Sequence, residues 1–153
     1  MMRNKAKALR GSLDALHMLV GLGGLAGGLA AVSNPAAPMG MSAEALRNGP
    51  FTDFLIPGLF LMGVIGLGNL AGGFVSIRKM KYSGIVSGGL GAVLMAWIVI
   101  QCWILQAVVA LHVIFFCIGA VQGLLAFALL YEEELFPASI LKKWVDALHE
   151  RRS

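Results

Sequence analysis

The polar residues that interrupt long apolar stretches are the first candidates for chemistry in this sequence. Asp14 and His17 stand three residues apart, a spacing that places both on one face of a helix. A carboxylate and an imidazole so placed could hold a proton or a cation at the cytoplasmic mouth of the protein. The alternative is a hydrated pair at the membrane surface. Asn69 and Gln122 are isolated amides in apolar segments, where such residues bond a neighbouring helix or contact a ligand.

A second group of residues falls toward the opposite side of the membrane. We predict an outer pocket formed by five side chains: Asp53, Trp97, Gln101, Trp103 and His112. The two tryptophans also suit the aromatic belt at a membrane interface. The prediction requires that all five side chains face the same interior space.

Other kinds of chemistry find little support in the sequence. Cys102 and Cys117 do not form a C-x-x-C motif and are interpreted as small packing residues. The histidines, His17, His112 and His149, fall at different levels, which argues against a shared metal or haem site. No nucleophile, base and orienting group stand in register. We therefore expect no cofactor, no metal and no catalytic residues, and a non-enzymatic role is favoured.

Composition assigns the chain to the integral membrane proteins. Of its 153 residues, 58% are hydrophobic and only 13% are charged, and the mean hydropathy is +0.81. Soluble domains carry about 25% charged residues. The net charge of +4 does not indicate a nucleic-acid partner, because the basic residues adjoin apolar spans, where lipid headgroups are the expected partner.

Four apolar segments predict an all-α, up-down four-helix bundle in the membrane. The predicted spans are about 15–32, 54–77, 84–104 and 111–131, within a membrane domain of residues 1–131. The first segment also resembles the apolar core of a signal peptide, but we interpret it as a span. Basic residues precede the first span and separate the second from the third, which predicts that both termini are cytoplasmic.

The segment 132–153 is predicted to be a cytoplasmic tail. Ile140, Leu141, Trp144, Val145 and Leu148 recur at helical spacing and predict an amphipathic helix on the membrane surface. A docking helix for a soluble partner is the alternative.

Glycine pairs of the form G-x-x-x-G occur in every predicted span. Such residues let two helix backbones approach closely in lipid. The predicted packing glycines are Gly24, Gly28, Gly68, Gly72, Gly84, Gly88, Gly119 and Gly123.

Two short motifs carry a resemblance to a known group of proteins. F-T-D-F-L-I-P-G-L, from Phe51, and W-I-V-I-Q, from Trp97 to Gln101, resemble small four-span bacterial membrane proteins to which no function is assigned. The resemblance covers the chain to about Leu130 and implies a bacterial inner (plasma) membrane protein. In that group an acid often stands at the position of Gln101, so the resemblance implies no proton-linked role there.

The sequence supports two functional hypotheses. The first is a structural or interaction protein that packs through its glycine faces, as a homo-oligomer or as an accessory subunit of a membrane complex. The second is a binder or transporter of a small amphipathic molecule or lipid through the outer pocket. The two differ in whether the bundle encloses a cavity near Gln101 and His112.

Overall fold

The computed structural model describes residues 2–140 and residue 144 and contains helices and no strand in that part of the chain. Four helices are long and apolar enough to cross a membrane. They are α1 (Met2–Ser33), α2 (Leu55–Ile77), α3 (Ser83–Leu105) and α4 (Ala110–Glu132). The prediction of an all-helical fold with four helices long and apolar enough to span a membrane is thus confirmed. The predicted amphipathic helix lies almost entirely outside the described residues.

Helix α1 begins well before its apolar segment. The basic stretch from Asn4 to Arg10 is helical because alanine, lysine, arginine and leucine are good helix formers and no glycine or proline interrupts them. The helix therefore carries Arg10 and Asp14 into the bundle as part of one rigid element.

The connection from α1 to α2 folds over one end of the bundle. It contains two short 3-10 helices, Pro38–Gly40 and Ala43–Leu46, and the hydroxyl of Ser42 accepts a hydrogen bond from the backbone N–H of Glu44 at the start of the second. Leu46 packs with Ala31, Phe54 and Ile104. We call this side of the molecule, with the short α3–α4 connection, the loop end.

The opposite side of the molecule, which we call the basic end, joins all four spans through one arginine. The guanidinium of Arg10 in α1 pairs with the Glu133 carboxylate after α4 at 2.6 Å. It also donates to the hydroxyl of Ser83 at 2.6 Å and to the carbonyl of Ser76 at 3.5 Å. The start of α1, the end of α2, the start of α3 and the end of α4 therefore meet at the basic end.

The helices form a square in which α1 and α3 each pack against α2 and α4. Large apolar side chains face outward on every helix, among them Leu22, Phe74, Val99 and Leu124. In water this surface would be unfavourable, but it suits contact with lipid chains, where only the backbone needs internal hydrogen bonds.

Helix α2 is not a regular α-helix. Residues Leu61–Leu67 form a π-helical segment between the α-helical parts Leu55–Phe60 and Gly68–Ile77. Helix α1 lies unusually close to it, since a Cβ atom added to Gly24 would lie 2.8 Å from the backbone nitrogen of Gly66. Only glycine allows this distance.

The eight glycines predicted to pack helices occupy different surroundings. At five of them an added Cβ atom would lie within 3 Å of a neighbour: Gly24, Gly28, Gly72, Gly84 and Gly119. At Gly68 the added atom would lie 3.3 Å from Leu90, and at Gly88 it would make an ordinary 3.6 Å contact with Ala126. At Gly123 the added atom would meet nothing within 4 Å.

Replacing Gly28 by alanine is expected to destabilise the bundle. The new Cβ atom would lie 2.5 to 2.7 Å from Met62, including its backbone nitrogen, so α1 and α2 would have to separate. Overpacking of this kind lowers stability by about 1–3 kcal/mol. The measurement is thermal unfolding in detergent. Gly89→Ala is the matched control, since its Cβ meets nothing within 4 Å, and equal unfolding temperatures for the two variants would contradict the close approach.

Candidate functional site

A buried polar network lies inside the bundle and takes one side chain from each helix. His17 of α1, Asn69 of α2, Ser87 of α3 and Gln122 of α4 are all fully buried. The Nδ1 atom of His17 lies 2.9 Å from Asn69 Oδ1, and its Nε2 atom lies 2.8 Å from Ser87 Oγ. Gln122 Nε2 donates to Asn69 Oδ1 at 3.0 Å and lies 3.0 Å from His17 Nδ1.

The orientation of Asn69 determines which ring nitrogen of His17 carries hydrogen. Asn69 Nδ2 donates to the Ile65 carbonyl at 2.9 Å, and a carbonyl can only accept. Oδ1 of Asn69 is therefore the atom that faces His17. Two groups face Nδ1: the acceptor Oδ1 at 2.9 Å and the donor Gln122 Nε2 at 3.0 Å. Because Oδ1 is the nearer and can only accept, we assign the hydrogen of the neutral ring to Nδ1. In the neutral ring Nε2 then accepts a hydrogen bond from the Ser87 hydroxyl.

Small residues of α2 make room for this imidazole. A Cβ atom on Gly72 would lie 2.8 Å from His17 Cε1, and one on Gly73 would lie 3.2 Å from His17 Cβ. The glycines of α2 near Asn69 thus serve the polar network as well as helix packing.

Two acceptors near the network have no partner in the described chain. Oε1 of Gln122 and Oδ1 of Asp14 are both buried and unbonded. Asp14 lies one helical turn from His17, toward the basic end. It borders a groove of about 840 Å³ that is also lined by Arg10, Ser76 and Glu133.

Sequence reasoning placed His17, Asn69, Gln122 and Asp14 on the inner level, and the structure brings the first three into direct contact. The sequence reasoning did not identify Ser87, because a serine among glycines gives no distinctive signal. It also missed the Arg10–Glu133 pair. The available signal was charge complementarity, since Glu133 follows α4 at the end of the bundle where α1 carries Arg10.

A cavity of about 370 Å³ lies between the network and the loop end. Its walls come from all four helices and the connection that covers the loop end. Apolar and glycine residues supply almost all of the lining: Gly23, Gly24, Gly27, Ala31, Pro38, Met39, Met41, Ala45, Phe54, Pro57, Gly58, Leu61, Ile65, Leu94, Ile98, Leu105, Ala107, Val109, Leu111 and Phe115. No lysine, arginine, aspartate or glutamate is among the described residues that line it. A volume of this size lies in the usual range for small-molecule sites.

Three polar side chains line the same cavity: Trp97, Gln101 and His112. The indole N–H of Trp97 is buried without a partner in the described chain. Nδ1 of His112 accepts a hydrogen bond from the Val109 backbone N–H at 3.4 Å, which leaves the ring hydrogen of the neutral form on Nε2. The side chain of Gln101 makes no hydrogen bond to any described residue.

The other two residues of the predicted pocket do not line the cavity. Trp103 is 63% exposed and faces away from the interior. Asp53 accepts a hydrogen bond from the Leu55 backbone N–H at 2.9 Å, so its carboxylate stabilises a local turn at the start of α2. The structure therefore brings together three of the five predicted pocket residues.

An apolar layer separates the cavity from the polar network. Val20, Ile65 and Leu94 are at most 1% exposed, and they pack with Trp97 and Ile98. Ile65 belongs to both regions, because its side chain lines the cavity and its carbonyl accepts from Asn69. The bundle thus has an apolar cavity toward the loop end and a polar layer nearer the basic end.

No family model, curated protein or solved structure matches the chain. Within residues 2–140 and 144, no three histidine, cysteine, aspartate or glutamate side chains are grouped so that they could hold a metal ion. Cys102 and Cys117 are free thiols.

Asn69→Leu is expected to destabilise the folded bundle. The substitution removes the acceptor of two buried donors, His17 Nδ1–H and Gln122 Nε2–H, and the loss should amount to about 1–3 kcal/mol. Unfolding in a denaturing detergent measures it. Ile77→Leu is the control, because Ile77 lies on the same helix and is exposed. An Asn69→Leu protein as stable as this control would show that the network does not hold the helices together.

Proposed function

We propose that this protein binds a small, uncharged amphipathic molecule in the cavity beneath the loop end. The observation that carries the proposal is an apolar space bordered by all four spans, with polar side chains that have unused hydrogen-bonding groups. A bundle with a purely structural role would gain stability by filling this space, because empty volume in a core weakens packing.

The polar side chains favour a particular ligand chemistry. His112 offers Nε2–H and Gln101 offers an amide, whereas the indole N–H of Trp97 is buried within the wall. These groups suit a ligand oxygen that accepts hydrogen bonds, such as a hydroxyl, carbonyl or ester oxygen. The absence of charged side chains from the described lining disfavours an ionic head, whose burial without a partner is costly. The apolar walls accommodate a hydrocarbon or ring body.

The surroundings of the cavity favour access from the lipid phase. Met39, Val109 and Leu111 line it and are exposed by 85%, 50% and 60%. An apolar molecule dissolved in the bilayer would meet these residues first. No charged side chain among them would hinder its passage.

The proposal includes an orientation in the membrane. Lys5, Lys7, Arg78, Lys79 and Lys81 lie toward the basic end, whereas Arg47 is the basic residue of the loop-end connections. By the positive-inside rule the basic end faces the cytoplasm, so the cavity lies toward the outer leaflet. A bacterial inner membrane, as the resemblance implies, suits this orientation.

A structural or interaction role is the second candidate. Gly63 and Gly123 have open space at their Cβ positions, so small-residue surface is left on α2 and α4 for another chain. This observation favours a homo-oligomer or a membrane-complex partner. Native mass spectrometry reports the stoichiometry of such an assembly separately from a bound small molecule.

Native mass spectrometry of protein released gently from membranes tests the binding proposal. We expect a reproducible bound mass in the wild type and at least a tenfold lower occupancy in Gly23→Leu. Gly23 lines the cavity, and a Cβ there makes only an ordinary 3.4 Å contact with Phe115, so a leucine can extend into the space. Gly89→Leu is the matched control, since Gly89 is outside the cavity. Equal occupancy in both variants would overturn the site.

Added probes of equal chain length test the ligand class. Decanol should bind the wild-type protein, whereas decanoate and decylamine should bind at least about tenfold more weakly because burial of their charge has no compensation in the cavity. Gln101→Leu should weaken decanol binding, because it removes the amide. Its unfolding temperature should be no lower than that of the control variant Gly89→Leu. Stronger retention of either charged probe would contradict an uncharged ligand.

A further inference from the structure

The imidazole of His17 lies in surroundings that can serve two protonation states. In the neutral ring Nδ1–H donates to Asn69 and Nε2 accepts from Ser87. If a proton is added to Nε2, the same Ser87 oxygen can accept from it, because a hydroxyl both donates and accepts. The hydroxyl hydrogen would then turn to a backbone carbonyl one turn earlier in α3, a common partner for serine in a helix. Both ring nitrogens stay hydrogen-bonded in either state.

The groups that face His17 determine how its charge would be balanced. On α1 the titratable neighbour is Asp14, one turn away, with a buried oxygen that has no partner. The residues of α2, α3 and α4 that bond the ring are Asn69, Ser87 and Gln122, and none of them titrates. The next charges belong to the Arg10–Glu133 pair, which already neutralise each other. Asp14 is therefore the available counter-charge.

A second buried acceptor lies in the same layer. Gln122 directs its nitrogen at the network and leaves Oε1 buried without a partner in the described chain. A buried polar atom without a hydrogen bond is uncommon in a folded protein and is often found at a functional site. Asp14 Oδ1 and Gln122 Oε1 are thus two buried acceptors that no described group donates to.

Access to this layer is one-sided. The groove that Asp14 borders also contains Lys7, Arg10, Lys79 and Glu133, so it is a polar space at the basic end. Toward the loop end, Val20, Ile65 and Leu94 close the interior with apolar side chains. The polar groove thus reaches Asp14, one helical turn from the buried His17, while the apolar layer separates His17 from the cavity.

We propose that His17, with Ser87, Asn69 and Gln122, forms a proton-binding site that exchanges with the basic end. A hydronium ion in the groove loses one O–H bond and leaves water, and its proton forms a bond to the Nε2 lone pair. No electrons are transferred. The Ser87 hydroxyl changes from donor to acceptor, and Asp14 balances the imidazolium charge. This site is separate from the proposed ligand cavity and does not depend on it.

Nitrogen-15 NMR of the full chain in lipid nanodiscs, with labelled histidine, tests the site. The double variant His112→Gln, His149→Gln leaves His17 as the sole histidine. As the pH is lowered from about 9 to about 4, its ring signals should change from the Nδ1–H neutral tautomer to the imidazolium form in a single-proton transition. A ring that stays neutral throughout, in a protein that remains folded, would overturn the proposal. The Nε2–H tautomer at high pH would also overturn it.

Two pairs of variants test the roles of the neighbours. Asp14→Asn should lower the proton affinity of His17 at least about threefold, a shift of about half a pH unit toward acid. Glu44→Gln removes one charge at the loop end and should leave the midpoint unchanged. Ser87→Ala should weaken proton binding by a similar factor, and Ser87→Thr, which keeps the hydroxyl, should restore it. Equal pH midpoints for His17 protonation in Asp14→Asn and Glu44→Gln would contradict the proposal that protons reach His17 past Asp14 and that Asp14 balances its charge.

Discussion

A bilayer offers no water to a polar side chain, and this constraint explains the arrangement of the interior. His17, Asn69, Ser87 and Gln122 come from four helices and would each be unfavourable alone in lipid. They find partners only when all four helices meet in one register. The network therefore specifies the relative height and rotation of the spans, whereas apolar packing alone would tolerate several alternatives. Arg10 does the same at the basic end, where it bonds groups at the ends of the other three helices.

Glycines make that register possible. Gly24 and Gly28 bring α1 against the π segment of α2, and Gly91 and Gly119 let α3 and α4 cross at backbone distance. Close approach at these points brings short side chains such as Ser87 and Asn69 within hydrogen-bonding distance of the central imidazole. The same geometry leaves space nearer the loop end, where Gly23 and Gly27 have no side chain to fill the cavity.

The sequence predicts the class of fold far better than the site. Four long apolar runs are sufficient to predict four spanning helices, because length and hydropathy alone determine that outcome. The polar network was harder to predict, since nothing in the sequence indicates that residues as distant as His17 and Gln122 are in contact. The pocket prediction grouped Trp97 with Trp103, yet six residues at about 100° each turn the two side chains toward different faces. Leu94, Trp97, Ile98, Gln101 and Leu105 follow helical spacing and all face the cavity.

The π segment of α2 has a consequence for how the chain tolerates changes in length. A π turn corresponds to an α-helix that contains one extra residue. A protein that lacks one residue between 61 and 67 could become α-helical there and still present Leu55–Phe60 and Gly68–Ile77 to the same neighbours. A one-residue deletion within either α-helical part would instead rotate the residues before it by about 100° relative to the residues after it. Residues 61–67 are therefore the part of this span in which a one-residue deletion would leave Asn69 facing His17.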